Sequence, residues 1–354
     1  MTIASTGLIT LIETDTLVVG AGPIGLFQVF QLGLQGLHAH VIDALAVPGG
    51  QCIELYPDKP IYDIPGLPVC TGRELTDRLL AQVKPFKPTF HFQQLVESVS
   101  RHSDGRWLVA TATGPQFLTR TLFIAAGVGA FVPKELKVDG LAAFSGQQLF
   151  YRHAPAAACA DKHVVVVGGE DEAVANAIAL TQGEHRAQSV TLLYRRDFLQ
   201  ASDAQLALFE SLKRQGAVRF LAGQVTAIDA REGTLTSLTV CTPEDDVVSL
   251  LTDTVLVCQG VSPKLGPISQ WGLAMARKQL VVDSGTFATN ESGIFAVGDV
   301  VTYPGKKKLI VCGFHEVTLA AFAANALIHP DASNVLHYTT SSALLQQRLG
   351  IHQP

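Results

Sequence analysis

Charge is scarce in this chain. Only 16% of its 354 residues are charged, where about a quarter is usual. With 47% apolar residues, that balance excludes a disordered or highly solvated protein and suits a well-buried α/β chain of two domains. No Lys or Arg precedes Lys59, so the cationic start of a secretory signal and an Arg-rich transit peptide are both missing. No apolar run has transmembrane length. A cytoplasmic protein without a membrane partner is the expectation. A net charge of −5 leaves no electrostatic footprint for nucleic acid. The six cysteines, Cys52, Cys70, Cys159, Cys241, Cys258 and Cys312, form no C-x-x-C and sit beside no His at metal-ligand spacing. Buried reduced thiols are expected, with no metal site and no disulfide framework.

What is present is organised around Thr16–Leu26. The apolar run Leu17-Val18-Val19 ends in Gly20-Ala21-Gly22-Pro23-Ile24-Gly25, and a helical pattern over 23–36 follows. Gly20 permits a tight turn, Gly22 lets a pyrophosphate approach the backbone, and Gly25 lets helix and strand pack closely. Pro23 fits the first helical turn, where its missing N–H costs nothing. The helix N-terminus then presents free N–H groups and the positive end of its dipole. Residues 38–42 read as the next strand, and Asp43 closes it 18 residues after Gly25 (43 − 25). An acid there binds a ribose 2′-OH. The plainer alternative is an ordinary βα turn with a chance glycine pattern.

The loop 45–66, rich in Pro and Gly, carries Tyr56 and Tyr62, rings able to stack on a planar cofactor or to pack on the core. A helix over 72–83 follows, then a β-meander over 92–99, 106–112 and 116–122, and a further strand over 122–127. Residues 128–133 read as a crossing to a second domain.

There Val164-Val165-Val166-Val167-Gly168-Gly169-Glu170-Asp171-Glu172-Ala173 repeats the strand–glycine–helix order. After the next strand, 189–194, stand Arg195 and Arg196, where an NAD site would carry an acid. Two guanidiniums suit the 2′-phosphate of NADP, or are simply solvated. Glu170 occupies the close-approach position, where a carboxylate at contact with a pyrophosphate is repelled by about 4 kcal/mol in a surface-like dielectric. Either it turns away, or the loop uses Gly169, or nicotinamide binding is impaired. Strands over 217–228, 234–241 and 254–259 precede a return crossing at 258–263. Ile294–Asp299 reads as a buried strand ending in Gly298-Asp299, with an acid placed to accept ribitol or ribose hydroxyls. A long helix begins near Gly313, and its N-terminus would stabilise negative charge on a reduced flavin or merely pack.

Together these motifs resemble the ferredoxin–NADP⁺ reductases of thioredoxin reductase type, over residues 14–342. The specific pieces are Gly49-Gly50-Gln51, Leu55-Tyr56-Pro57, Ile61–Gly66, Ala126–Phe131, Leu265–Ile268, Trp271-Gly272-Leu273 and Tyr303-Pro304-Gly305-Lys306. The resemblance implies an α/β fold of two Rossmann-like dinucleotide-binding domains with three-layer ββα character. The FAD-binding domain would be 1–130 with 263–354, and the NADPH-binding domain 131–262. It implies FAD contacts from Gly20, Gly22, Pro23, Gly25, Asp43, Gln51, Val96, Phe131, Asp299 and Thr340. Tyr56 and His337 would lie on opposite flavin faces, and Gly168, Gly169, Arg195 and Arg196 would hold NADPH. It further implies a homodimer and ferredoxin or flavodoxin as electron partner. No acid–base residue is required, since the flavin carries the chemistry.

Three departures from the family pattern stand out. Gly-Gly-Gly-Asp-Ser-Ala is here Gly168-Gly169-Glu170-Asp171-Glu172-Ala173. Phe198-Leu199-Gln200 replaces the stretch with a third arginine, and His315 replaces a glycine. Two other readings stay open: a thioredoxin reductase-like enzyme with another acceptor, which would want a C-x-x-C beside the nicotinamide, and a flavin-binding sensor or scaffold with weakened NADPH turnover.

Overall fold

The computed structural model describes residues 10–331 and 338–350. The chain divides into two compact units, Met1–Ala130 with Pro263–Pro354, and Phe131–Ser262.

In the first unit, β1 (Leu11–Val19) runs into α1 (Pro23–Leu34) and β2 (Ala39–Ile42). Its burial grows along its length until the last four residues are buried, as expected of a central parallel strand covered on both faces. α1 takes Pro23 in its first turn, and Gly36 follows it at φ +79, the left-handed stop that glycine supplies. α2 (Gly72–Val83) is fixed by a reciprocal capping box between Thr71 and Glu74, which satisfies two otherwise orphaned N–H groups. β3 (Thr89–His91), β4 (Val96–Arg101), β5 (Trp107–Thr111) and β6 (Gln116–Ile124) complete the order β3-β2-β1-β6-β5-β4. The strand Ile294–Ala296 returns to pair in parallel with the second half of β6. The β3-β2-β1-β6 portion is parallel, and β6-β5-β4 is an antiparallel meander.

Two expectations for this unit need correction. The separate strand over 122–127 is the C-terminal half of β6, because one nine-residue strand pairs with β1 along its length while its other edge meets β5 with the first half and Ile294–Ala296 with the second. The long helix is Ile310–Ile328, starting a turn before Gly313 since the apolar Ile310 already packs, with Phe314, against the cluster of Leu26, Cys52, Ile64, Cys70, Leu75 and Leu79. This helix has the length and composition to cross a membrane. Its buried face, Gly313, Glu316, Val317, Ala320, Ala321 and Ala324, instead packs within the unit, and Glu316 is fully buried by protein.

In the second unit, β7 (Leu149–Tyr151), β8 (His163–Val167), α3 (Asp171–Ala179), β9 (Ser189–Tyr194), α4 (Asp203–Arg214) and β10 (Arg219–Ala222) are followed by the antiparallel strands β11 (Gln224–Arg231), β12 (Thr234–Cys241) and β13 (Val247–Leu251), then β14 (Thr254–Val257). The strand expected over 217–228 is thus two, broken at Gly223, whose φ is +158 and whose added Cβ would lie 2.6 Å from Val240. The parallel sheet has the order β7-β14-β8-β9-β10. Alternate residues of β8 serve opposite faces, as strand geometry requires. Val164 and Val166 join Ala173, Val174 and Phe209 of the helices, while Val165 and Val167 join Leu235, Leu238 and Val240 of the meander. Helices, parallel sheet and antiparallel meander make the three-layer ββα order.

Candidate dinucleotide-binding sites

The two end glycines of the first turn are explained by the protein itself. Gly20 has φ +110, and a Cβ there would lie 2.4 Å from the Ala125 carbonyl oxygen; a Cβ on Gly25 would lie 1.8 Å from the Gly20 oxygen. Gly22 is different. Its φ of −70 suits any residue, and a Cβ would meet only the Gly50 Cα at 3.8 Å, an ordinary contact. No packing demand keeps this position bare, so the space in front of Gly22 is a cradle open to an outside group. The N-cap makes no side-chain bond to the helix, which leaves the first-turn N–H groups to such a group. The residues fit a bound dinucleotide.

The surrounding loops converge on this cradle. Asp43 accepts from the Ala21 N–H at 2.6 Å and the Leu45 N–H at 2.8 Å, tying the end of β2 to the glycine turn. Burial pushes its carboxyl above the usual range, against the two backbone bonds that pull it down. The Gly49 N–H donates to the Ala21 carbonyl at 2.9 Å, and Gly50, at φ +52, lies against Gly22. That contact sets Gln51 at the start of a one-turn helix, from which its amide reaches the Asp299 carboxylate at 3.3 Å. Gln279 holds the Asp299 and Val301 carbonyls at 3.1 and 2.9 Å. Val96 is buried at the head of β4, just after Gln93 and Gln94 have bonded to the Leu45 and Asp43 carbonyls. The Cys52 thiol bonds the half-buried Tyr56 hydroxyl at 3.7 Å; burial, then Cys52, push the Tyr56 phenol well above its ordinary range.

Not every expected residue joins this cluster. Phe131 is half-buried and begins the second unit. Thr340 is exposed, and the short helix after it, Ala343–Leu349, packs Arg348 over the Phe86 ring and Leu344 toward Gly36. That is the far end of α1, about 18 Å from the glycine turn for 12 residues. His337 lies outside the described residues.

In the second unit, Gly168, at φ +156, and Gly169 are demanded by packing: added Cβ atoms would lie 2.1 Å from the Cys258 oxygen and 2.2 Å from the Tyr194 ring. Glu170 occupies the position corresponding to Gly22. Its φ is −104, its side chain is exposed, and it makes no capping bond to α3. The fold therefore admits a side chain here and lets it point to water. Glu172, the other acidic departure, is paired with Arg152 at 2.9 Å. Arg152 has φ +66, an uncommon conformation for a non-glycine residue, and follows the C-terminal end of β7. Asp171 accepts the Ser202 N–H at 2.9 Å, and Gln200 donates to the Gly169 carbonyl at 2.7 Å, so the departing segment 198–200 braces the turn. Arg195 and Arg196 are exposed beyond the C-terminal end of β9, with Arg196 over the Phe198 ring. Both glycine turns thus stand at the carboxyl ends of parallel strands, where open α/β sheets bind ligands.

The cysteines are free thiols, four of them buried. Burial pushes Cys52, Cys70 and Cys159 up, and Cys258 up to about 12. No group of three or more metal-ligating side chains occurs among the described residues.

Sequence reasoning missed three side chains that shape these sites: Arg152, Gln279 and the buried Glu316. Arg152 and Gln279 lie outside any motif. Glu316 and its partner Lys306 fell within recognised segments, but nothing in the spacing said they would meet.

A parallel-sheet unit with a cradling glycine turn, joined to a second unit with the same turn, defines the class of two-dinucleotide α/β proteins. The chain belongs to the pyridine nucleotide-disulphide oxidoreductase family, which it matches over residues 14–324. It is 55% identical over 345 residues to a protein of Polaromonas sp. named ferredoxin–NADP reductase, covering 97% of this chain and 94% of that one. It is 54% identical to another so named from Albidiferax ferrireducens, covering 97% of each. Among solved structures, the thioredoxin reductase of Lactococcus lactis matches with TM-score 0.55 at 22% identity, covering 90% of this chain and 99% of that one. The bacillithiol disulfide reductase of Staphylococcus aureus matches with TM-score 0.57 at 17% identity, covering 91% and 100%. These two establish the shared fold.

Proposed function

We propose that this chain is a flavoprotein oxidoreductase, a ferredoxin–NADP reductase that moves electrons between NADPH and ferredoxin through FAD. The observation that carries the reading is the open cradle at Gly22, in a chain whose full-length relatives bear that name. The chemistry FAD supplies when bound is two-electron exchange with a nicotinamide and one-electron exchange with an iron–sulfur protein. The protein binds and orients. Gly22 and the first turn of α1 would receive the pyrophosphate, Asp43 and Val96 the adenosine end, and Gln51 and Asp299 the ribityl chain. Tyr56 would cover one flavin face. The first unit would therefore be the FAD domain and the second the NADPH domain, with Arg195 and Arg196 on the 2′-phosphate.

A dithiol relay is disfavoured by the buried thiols, whose raised pKa values suppress the reactive thiolate, so electrons would leave directly to a carrier protein. Flavodoxin is the alternative carrier. We further read the protein as a cytoplasmic homodimer whose tail, with Thr340 and His337, serves the partner's flavin, since Thr340 stands apart from its own chain's glycine turn.

The test is a visible spectrum of the purified protein, anaerobic titration with NADPH and NADH, and cytochrome c reduction with and without added ferredoxin. A yellow protein bleached preferentially by NADPH, with ferredoxin-dependent cytochrome c reduction, is the expected result. Flavin reduction without ferredoxin stimulation would move the enzyme to another acceptor. A flavin that NADPH leaves oxidised would favour the sensor reading. Cys159→Ser is expected to leave electron transfer to the acceptor intact.

A further inference from the structure

A carboxylate buried in an apolar helix face requires compensation. Glu316 has no exposed side-chain surface and Lys306 only 6%. The Glu316 Oε2 accepts the Gly298 N–H at 2.6 Å, and Oε1 accepts the Tyr303 hydroxyl at 2.8 Å and the Lys306 ammonium. Lys306 also stands over the Tyr303 ring, 5.7 Å from its centroid. Burial and then the Glu316 bond push the Tyr303 phenol well above its ordinary range, so Tyr303 stays a neutral donor. Three donors thus converge on one carboxylate, and one of them is the backbone N–H that precedes Asp299. Gly298 has φ +83, and an added Cβ there would lie 3.4 Å from Ile24 of α1. The turn bearing Asp299 is therefore pinned between the first turn of α1 and a buried ion pair on the long helix.

We infer that Glu316 and Lys306 are positioning residues for the flavin: Glu316 fixes the Gly298–Asp299 turn that would hold the ribityl chain, and Lys306 balances its charge so that the flavin potential is not displaced. The inference rests on the proposed FAD site. It goes beyond it in naming a charge pair that would not touch the cofactor but would set both its retention and its potential. The geometry explains why Tyr303-Pro304-Gly305-Lys306 is a turn: it carries the hydroxyl and the ammonium back onto one carboxylate.

The test is the flavin midpoint potential, by dye equilibration, together with the rate of FAD release, with the apoprotein of an FAD-dependent oxidase as trap. Glu316→Gln keeps one acceptor oxygen, enough for the Gly298 N–H or the Tyr303 hydroxyl but not both, and leaves Lys306 unbalanced, so its potential should rise. Lys306→Met leaves the carboxylate unbalanced, and its potential should fall. The double variant should return close to the parent value. FAD release should quicken about tenfold in Glu316→Gln, the worth of one charge-assisted bond. Tyr303→Phe removes a donor but no charge, so it should speed release and leave the potential in place. If Glu316→Gln does not fold, the other two single variants decide by the same signs. Potentials that move in the same direction in both charge variants, or in neither, overturn the inference while leaving the flavoenzyme reading intact. A parent protein without FAD would overturn that reading itself.

Discussion

Gly20, Gly22 and Gly25 are one motif on paper but hold glycine for different reasons. Gly25→Ala should destabilise by about 3 kcal/mol or more, because the new methyl meets backbone that cannot yield. Gly22→Ala should melt within about 0.5 kcal/mol of the parent, as its φ and surroundings accept a methyl, yet purify with little flavin. Chemical denaturation beside the flavin-to-protein absorbance ratio distinguishes them; full flavin content in Gly22→Ala would remove the cradle argument. Glu170 shows the complementary case. It stands at the equivalent position, exposed, with Asp171 and Glu172 in the turn behind it. Acids there stabilise α3 through its dipole but oppose an incoming anion. Arg152 offsets Glu172 and the Ser202 N–H engages Asp171, so of these three acids Glu170 is the one whose exposed side chain has no hydrogen-bond or ion-pair partner among the described residues. Glu170→Gly should tighten NADP⁺ about two- to fivefold at low salt, far below the contact value, because an exposed charge is screened. The gain should vanish near 0.5 M salt; isothermal titration at two ionic strengths measures it.

At the scale of the element, β2 and β3 carry a histidine pair beside the Asp43 turn. The His40 Nδ1 and His91 Nε2 lie 3.0 Å apart, with the rings stacked at 5.2 Å. Burial, then the neighbouring His91, lower the His40 pKa from 6.5 to about 4. The unfolded chain takes this proton near pH 6.5 and the folded chain only near 4. The pair's contribution is therefore complete above pH 6.5 and lost as pH falls from there toward 4. Since His40 is only half-buried, about 1–2 kcal/mol is the reasonable size. Melting temperature should fall between pH 7 and pH 4.5, and His40→Gln should flatten that slope. An unchanged slope would mean the pair does not resist protonation. Because the Asp43 N–H donates to the His91 carbonyl, acid should also loosen flavin.

At the scale of the whole molecule, each unit has its own core and its own glycine turn. Ligands that bind only folded protein stabilise by about 2.7 kcal/mol at a hundredfold excess over Kd. FAD should therefore protect the backbone amides of β1 and β6 from hydrogen exchange, and 2′-phospho-nucleotides those of β8 and β9. NADP⁺ should protect more than NAD⁺, and replacing Arg195 and Arg196 together should erase that difference. Equal protection by both nucleotides in the parent would show that the arginines do not read the 2′-phosphate.

Local patterns already specified much of this protein. Apolar runs ended by glycines marked β1 and β8, and the polar–apolar pattern over 72–83 marked α2, because strand burial, helix periodicity and tight turns depend on residues close in sequence. Distant partners did not show. Whether Glu170 faces a ligand or water, that Arg152 offsets Glu172, that Gln51 reaches Asp299, and that Lys306, Tyr303 and Gly298 close on Glu316 all depend on where separate loops come to rest. The sharing of one edge of β6 between β5 and the strand Ile294–Ala296 depends on it too. Only the packed tertiary structure decides these, since a buried charge finds its partner through the fold around it rather than along the chain.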